Sequence, residues 1–231
     1  MDVFSARAIA ANQGWLSLTP VPFREAVLDQ SHLLSVAAGE MIYQVGDAPG
    51  GLYGLIAGRL GVSIAPGENG PYLAHFIQPG TWVGEGCAVT GRPRQVGLSA
   101  TRACVLLHLP LHGLQEIVHK DPAAWRFVAL LTALHLDVAI GAADDLMIRD
   151  HVKRFIAILL RLGGCRLTNP THKGPIEVHA NQHELAQLSN IARTTAGSVL
   201  RTLTLAGHIE HSYRHIRILA PDALRAMLTG E

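Results

Sequence analysis

Ala180-Asn181-Gln182-His183-Glu184-Leu185-Ala186-Gln187-Leu188-Ser189-Asn190-Ile191-Ala192-Arg193-Thr194-Thr195-Ala196-Gly197-Ser198-Val199-Leu200-Arg201-Thr202-Leu203-Thr204-Leu205 reads as two short amphipathic helices joined by a tight turn. In the first helix Leu185, Ala186 and Leu188 pack inward, and Asn190 stands where the turn wants a residue tolerant of positive φ. Ile191 plugs the turn. In the second helix Ala196, Val199, Leu200 and Leu203 follow the i, i+3, i+4, i+7 spacing of one buried face. Arg193, Thr194, Thr195, Ser198 and Arg201 are left on or beside the opposite face, as side chains able to reach base edges and phosphates. Ala192 is a weak N-cap, costing the helix about 1 kcal/mol against Ser or Thr. The pattern is that of a duplex-reading helix-turn-helix.

Working outward, the 231 residues suffice for more than one core, and their formal charge of +1 conceals an asymmetry. Residues 1–148 hold 8 Lys+Arg against 12 Asp+Glu, and residues 149–231 hold 11 against 6, so the parts carry −4 and +5. A basic C-terminal third has the electrostatic footprint of a protein that neutralises phosphates. Cys87, Cys104 and Cys165 are too few and too scattered for a disulfide framework or a four-thiolate cluster, which fits a reducing cytoplasm. Neither a signal peptide nor a membrane span is expected. The most apolar long segment, residues 125–143, is interrupted by Arg126, His135 and Asp137.

Residues 1–30 suggest short helices, with Pro20 and Pro22 marking a turn. From residue 33 to 109 short apolar runs alternate with glycines, Gly39, Gly67 and Gly97 among them, which predicts a β-roll of short strands and tight turns. Asp121-Pro122 opens a helix over residues 122–148, with Asp121 as N-cap. Along it Phe127, Leu131, Leu134, Val138, Gly141, Asp145 and Ile148 have heptad spacing, a seam for a partner helix in which Asp145 is a poor fit. A further helix over 152–162 ends at Gly163-Gly164. Asn169-Pro170 and Gly174-Pro175 mark a loop, and Gly207 closes the second helix of the opening motif. Residues 209–212 and 215–219, joined through Tyr213-Arg214, read as a two-stranded wing. The expectation is an α+β chain in three parts: a β-roll sensor domain with N-terminal helices (1–120), a dimerisation helix (121–149) and a winged helix-turn-helix (150–231).

That order resembles the cyclic-AMP receptor protein/fumarate–nitrate regulator (Crp/Fnr) family of bacterial transcription factors, and the resemblance covers nearly the whole chain. The carrying residues are Gly39-Glu40-Met41-Ile42-Tyr43-Gln44-Val45-Gly46-Asp47, Leu52-Tyr53-Gly54-Leu55-Ile56-Ala57-Gly58-Arg59-Leu60 and Pro79-Gly80-Thr81-Trp82-Val83-Gly84-Glu85. It implies a homodimer on palindromic double-stranded DNA, RNA polymerase as a partner, a small-molecule effector in the β-roll, and no enzymatic activity. In the family's cyclic-AMP binders a Gly-Glu pair is followed by Arg-Ser or Arg-Thr. Gly84, Glu85 and Arg94 match, whereas Gln95 replaces the hydroxyl residue, with bulk that would enter the phosphate space. Ala139 and Ile140 stand where hydroxyl residues touch the adenine. The resemblance thus argues against dependence on cyclic AMP.

The same resemblance gives Asn181 and Gln182 phosphate-contacting positions and assigns Arg201 and Arg214 to the DNA backbone. Arg193 keeps its fork for guanine, while the family's usual glutamate is missing. No cysteine precedes Cys87, so no iron–sulfur cluster is expected. The thirteen histidines are spread along the chain, and the tightest group, His208, His211 and His215, reads as solvated or phosphate-facing rather than as metal ligands. A redox role for Cys165 would need an exposed thiolate. A β-roll enzyme or regulatory subunit is the rival class, but residues 33–109 offer only the distant His75 and His108 as candidate imidazole ligands, and such a protein has no need of a basic winged helix.

Overall fold

The glycine-punctuated runs become short strands because each buries one or both faces between turns. The computed structural model describes residues 1–65, 70–169 and 175–229; the turn expected at Gly67 and the loop residues Pro170 and Gly174 lie outside the described residues. Two compact units are present, Met1–Asp137 and Val138–Glu231.

The first unit begins with α1 (Val3–Asn12), α2 (Gly14–Ser17) and α3 (Val21–Asp29), the last entered through Pro20 and Pro22. The strands are β1 (His32–Val36), β2 (Met41–Tyr43), β3 (Gly51–Ala57), β4 (Leu60–Ile64), β5 (Tyr72–Ile77), β6 (Trp82–Val83), β7 (Gly97–Ala100) and β8 (Cys104–Pro110). They form two four-stranded sheets, in the orders β1-β8-β3-β6 and β2-β7-β4-β5, with antiparallel pairing. Val36, Tyr43, Leu55, Leu60, Ile77, Leu98 and Leu106 form one core cluster of the roll. Two helices that the strand texture hid are α4 (Glu85–Thr90) and α5 (Leu111–Lys120).

Asp121 does cap the next element, its carboxylate accepting from Ala123 N at 3.0 Å, but that element is a 3₁₀ turn (Pro122–Ala124) leading into α6 (Trp125–Met147). The first turns of α6 belong to a second core with Trp15, Leu16, Phe23, Val27, Leu52, Trp82 and Leu114. There Trp15 Nε1 donates to Phe127 O at 2.7 Å, and the Phe23 and Phe127 rings lie 4.9 Å apart. Burying each large apolar side chain contributes about 1.5–3 kcal/mol.

In the second unit follow α7 (His151–Leu162), β9 (Ile176–Val178), α8 (Gln182–Leu188), α9 (Arg193–Leu205), β10 (Ile209–Ser212), β11 (His215–Ile218) and α10 (Pro221–Thr229). Asp150 caps α7 by accepting from Val152 N and Lys153 N. The wing is three-stranded, β10-β11-β9, because β9 adds antiparallel to β11. Buried Phe155, Ile156 and Leu159 of α7, Leu185 and Leu188 of α8, Val199, Leu200 and Leu203 of α9, and Ile209, Ile216 and Ile218 of the wing supply the apolar interior of this unit.

Candidate nucleic-acid interface

The turn between α8 and α9 forms as its residues dictate. Asn190 takes φ +50°, Ile191 N donates to Ala186 O at 3.0 Å, and α9 is entered through Ala192, which supplies no side-chain cap. Asn181 closes a capping box: its Oδ1 accepts from Glu184 N at 2.9 Å, while Glu184 Oε2 accepts from Asn181 N at 2.7 Å. Its carbonyl is therefore committed to α8. Gln182 lies across Gly197, where a Cβ would come within 2.3 Å of its Nε2, and that nitrogen donates to Arg193 O at 2.6 Å. The side chain assigned to phosphate thus also locks the entrance of α8 to the entrance of α9.

Buried Ala196, Val199, Leu200 and Leu203 turn the opposite face outward, leaving Arg193, Thr194, Ser198 and Arg201 exposed and Thr195 half-buried. Gln182, Thr194, Gly197, Ser198, Arg201 and His211 line one hollow, with Thr204 and the exposed Leu205 at the α9 end of the lining. Its polar groups are hydroxyls, an amide, an imidazole and a guanidinium, without a carboxylate, beside apolar surface; such a set suits base edges, thymine methyls and phosphates. At the wing tip Tyr213 and Arg214 are exposed. The wing histidines divide: His211 lines the hollow, whereas His215 Nε2 meets Glu177 Oε2 at 3.3 Å.

Two groups that the sequence did not assign hold this interface in place. Arg154 donates to Ser189 O at 2.7 Å and to Ile148 O at 2.8 Å, joining the helix-turn-helix turn to the segment before α7. Asp145, 1% exposed, accepts from Arg161 Nε at 2.7 Å and from Arg166 Nε at 2.9 Å. The residue that fitted a helix seam poorly is the anion that fastens the end of α6 within the second unit. Its misfit in the heptad was the available signal.

In the β-roll Gly84 and Glu85 open α4, with Gly84 at φ +107°, where a Cβ would lie 2.5 Å from Gly51 O and 2.8 Å from Arg94 Nη1. Glu85 and Arg94 are both buried, and both are engaged internally. Glu85 Oε1 meets His135 Nδ1 at 2.7 Å. Arg94 donates to Gly51 O at 3.0 Å and Gly84 O at 3.3 Å, and its guanidinium lies 4.1 Å from the Tyr43 ring centroid. Burial holds the Tyr43 phenol protonated far above its ordinary range. Gln95 is exposed, its amide donating to Pro93 O at 2.9 Å; the obstruction expected of it gives way to internal pairing of Glu85 and Arg94. Ala139 and Ile140 are exposed residues of the second unit. His135 had read only as an interruption of an apolar helix.

The seam requires a correction. Leu131 is 1% exposed and sits in the first unit's core, with Phe127 and Leu134 packed against it, so these three side chains are occupied within their own chain. Val138 is exposed and Gly141 half-buried. The exposed apolar residues with heptad spacing are Ala129, Ala133, Leu136, Ile140, Ala143 and Met147, two positions further along. All three cysteines are buried, and burial pushes the Cys104 and Cys165 thiols up, so Cys165 offers no exposed thiolate.

A cyclic nucleotide-binding domain model matches residues 33–121, and a Crp-like helix-turn-helix domain model matches residues 153–227. The cAMP-activated global transcriptional regulator CRP of Escherichia coli is 21% identical over 183 residues, spanning 79% of this chain and 87% of its own. Among solved structures, FixK2 from Bradyrhizobium japonicum superposes with a TM-score of 0.71 at 16% identity, covering 84% of this chain and 95% of its own. The c-di-GMP responsive global regulator CLP of Xanthomonas campestris gives 0.68 at 22% identity, covering 86% and 99%. These two share the fold. The matched relatives are transcription regulators rather than enzymes. With a nucleotide-binding β-roll and a Crp-like helix-turn-helix matched in that order, the chain belongs to the Crp/Fnr family of transcription regulators.

Proposed function

We propose that the protein is a homodimeric, sequence-specific regulator that reads a palindromic operator and binds it without cyclic AMP. The observation that carries the last point is the internal pairing of Glu85 with His135 and of Arg94 with Gly51 and Gly84. A cyclic nucleotide would have to displace these partners, and a net charge-assisted hydrogen bond is worth about 1.5–3 kcal/mol. Dimerisation is supported by α6, which among the described residues is long and apolar enough to cross a membrane yet mostly exposed. Its Glu85–His135 contact and its Phe127 packing tie it to the β-roll, which favours a partner helix over lipid as the cover for its apolar stripe. Paired recognition helices would then enter major grooves about 34 Å apart. The protein would act in the cytoplasm, with duplex DNA and RNA polymerase as partners and no metal or iron–sulfur cofactor.

A second reading, a nucleotide-responsive regulator, has its own support: Arg94 Nε and His135 Nε2 are buried without a hydrogen-bond partner among the described residues. The structural neighbour named for c-di-GMP response shows that a protein of this fold can be described with another ligand. Calorimetry with cyclic AMP, paired with an operator titration at zero and millimolar nucleotide, separates the two readings. Unchanged operator affinity is expected; tight nucleotide binding with a large gain in operator affinity would overturn the first reading in favour of the second.

A further inference from the structure

β10 and β11 are joined by only Tyr213 and Arg214, and Arg214 takes φ +60°. Among the described residues Asn190 is the other non-glycine at positive φ. Asparagine tolerates that region; arginine there is strained, and glycine would close the same turn freely. The backbone at the apex of this short hairpin is thus held in one conformation, and it carries a guanidinium outward. The base of that hairpin is rigid because Ile209, Ile216 and Ile218 of β10 and β11, with Val178 of β9, are buried. Arg217, on β11, is neutralised by Glu210 at 3.3 Å and Glu177 at 4.0 Å, whereas Arg214 has no acidic partner among the described residues. Beside it stands Tyr213, 83% exposed, whose ring centroid lies 5.2 Å from the guanidinium carbon. His211 of β10 lines the same hollow as Thr194, Ser198 and Arg201, so the wing borders the recognition face.

We propose that Tyr213 and Arg214 read the width of the DNA minor groove beside the operator half-site, favouring an A/T-rich flank. This rests on the reading of the second unit as a duplex binder. Stiff A-tracts narrow the minor groove and deepen its negative potential, which draws in an arginine side chain; guanine puts an amino group in that groove. A phosphate contact alone needs neither a fixed backbone nor an aromatic side chain beside the cation, since a lysine on a loose tip supplies the same charge. The wing would thus add sequence preference at base pairs no side chain reads in the major groove.

The test uses the full-length protein and a random 30-base-pair duplex pool to select a core. That core is then held fixed and flanked by A·T, G·C or inosine·C pairs, since inosine·C presents guanine's major-groove acceptors without the minor-groove amino group. Wild type is expected to bind the A·T and inosine·C flanks about tenfold more tightly than the G·C flank, one decade in affinity. Arg214→Gly should bring all three within about twofold while keeping or raising the thermal midpoint, because glycine relieves the left-handed strain. A preference that survives in Arg214→Gly overturns the proposal. So does equal weakening on all flanks with a salt slope reduced by about one, which marks a phosphate contact only. A pool that yields no core overturns the duplex reading, and the wing proposal with it; a core indifferent to its flanks overturns the wing proposal alone.

Discussion

Replacing Asp145 by Asn removes a charge and leaves the shape. The carboxylate is 1% exposed and accepts from Arg161 Nε and Arg166 Nε at 2.7 and 2.9 Å, and Arg166 also reaches Asp144 at 3.6 Å. An asparagine offers one acceptor oxygen and turns an amide donor toward the second guanidinium, so at least one charge-assisted bond is lost and the negative charge that Arg161 and Arg166 share is removed, while Arg166 keeps Asp144 at 3.6 Å. Breaking a buried ion pair costs about 3–5 kcal/mol. The lower end applies, because the side chains of Arg161 and Arg166 keep 14% and 25% exposure. For a unit of this size each kcal/mol moves the midpoint by roughly 4–8 °C, so a fall of about 12 °C or more is expected. The tryptophans, Trp15, Trp82 and Trp125, all lie in the first unit. Tryptophan fluorescence therefore follows that unit, while far-ultraviolet circular dichroism follows both. In Asp145→Asn the dichroism transition should move down ahead of the fluorescence transition. Asp145→Leu with Arg161→Met and Arg166→Met should recover most of the loss, since apolar replacement of a whole buried ion network is often neutral or stabilising. A midpoint lowered by less than about 3 °C, well below one such pair's worth, would refute the assignment of Asp145 as an anchor.

Leu136→Glu and Ile140→Glu, on the exposed stripe of α6, should each yield monomers in sedimentation, whereas buried Leu131→Ala should lower stability by about 2–5 kcal/mol and still sediment as a dimer. His108 carries a pH dependence. It is half-buried, stacked on Tyr53 with ring centroids 4.4 Å apart, and Nε2–H donates to Gly50 O at 2.9 Å. Burial, with Arg94, His32 and His112 adding to it, holds its pKa below the ordinary 6.5 against the opposing pull of Gly50 O. As pH falls through 6.5 the unfolded chain takes up the proton first, so stability declines until the folded imidazole also titrates. Denaturant midpoints followed by fluorescence should fall more steeply toward pH 5 in wild type than in His108→Gln, and parallel profiles would exclude His108 as the source.

What was legible in the sequence was local. Asn190 at positive φ, Ala192 without a cap, Asp121 as a cap and Gly207 after α9 each act within a few residues of themselves, so one stretch of chain contains the whole cause. The wing's third strand was missed because Ile176-Glu177-Val178 is a single alternation, which is too short to announce a strand until β11 offers it a partner. The packing of Phe127, Leu131 and Leu134 within the chain was hidden for a different reason. Phe127, Leu131 and Leu134, and Ala129, Ala133 and Leu136, are apolar sets with the same spacing two residues out of phase. Periodicity alone cannot choose between them. The choice is made by Trp15, Phe23 and Val27, more than a hundred residues upstream of Leu131, which take the first set into their own core.

The same distance in sequence hid the state of the residues proposed to meet an effector. Glu85 and Arg94 have the right identity and spacing, and from the sequence alone they look available to a ligand. His135, fifty residues on, already holds Glu85. A ligand shifts an equilibrium only by its differential affinity for the two states. Here a ligand that takes the Glu85 carboxylate must first give up the His135 contact, and His135 rides on the helix whose exposed stripe is the expected dimer surface. The exchange at Glu85 is therefore where a binding free energy could be turned into a change in α6. Asp145, near the far end of the same helix, is paired as tightly within the second unit. A side-chain contact to a buried carboxylate thus holds α6 within each unit, and neither could be recognised from neighbours in sequence, because each joins residues that only the fold brings together.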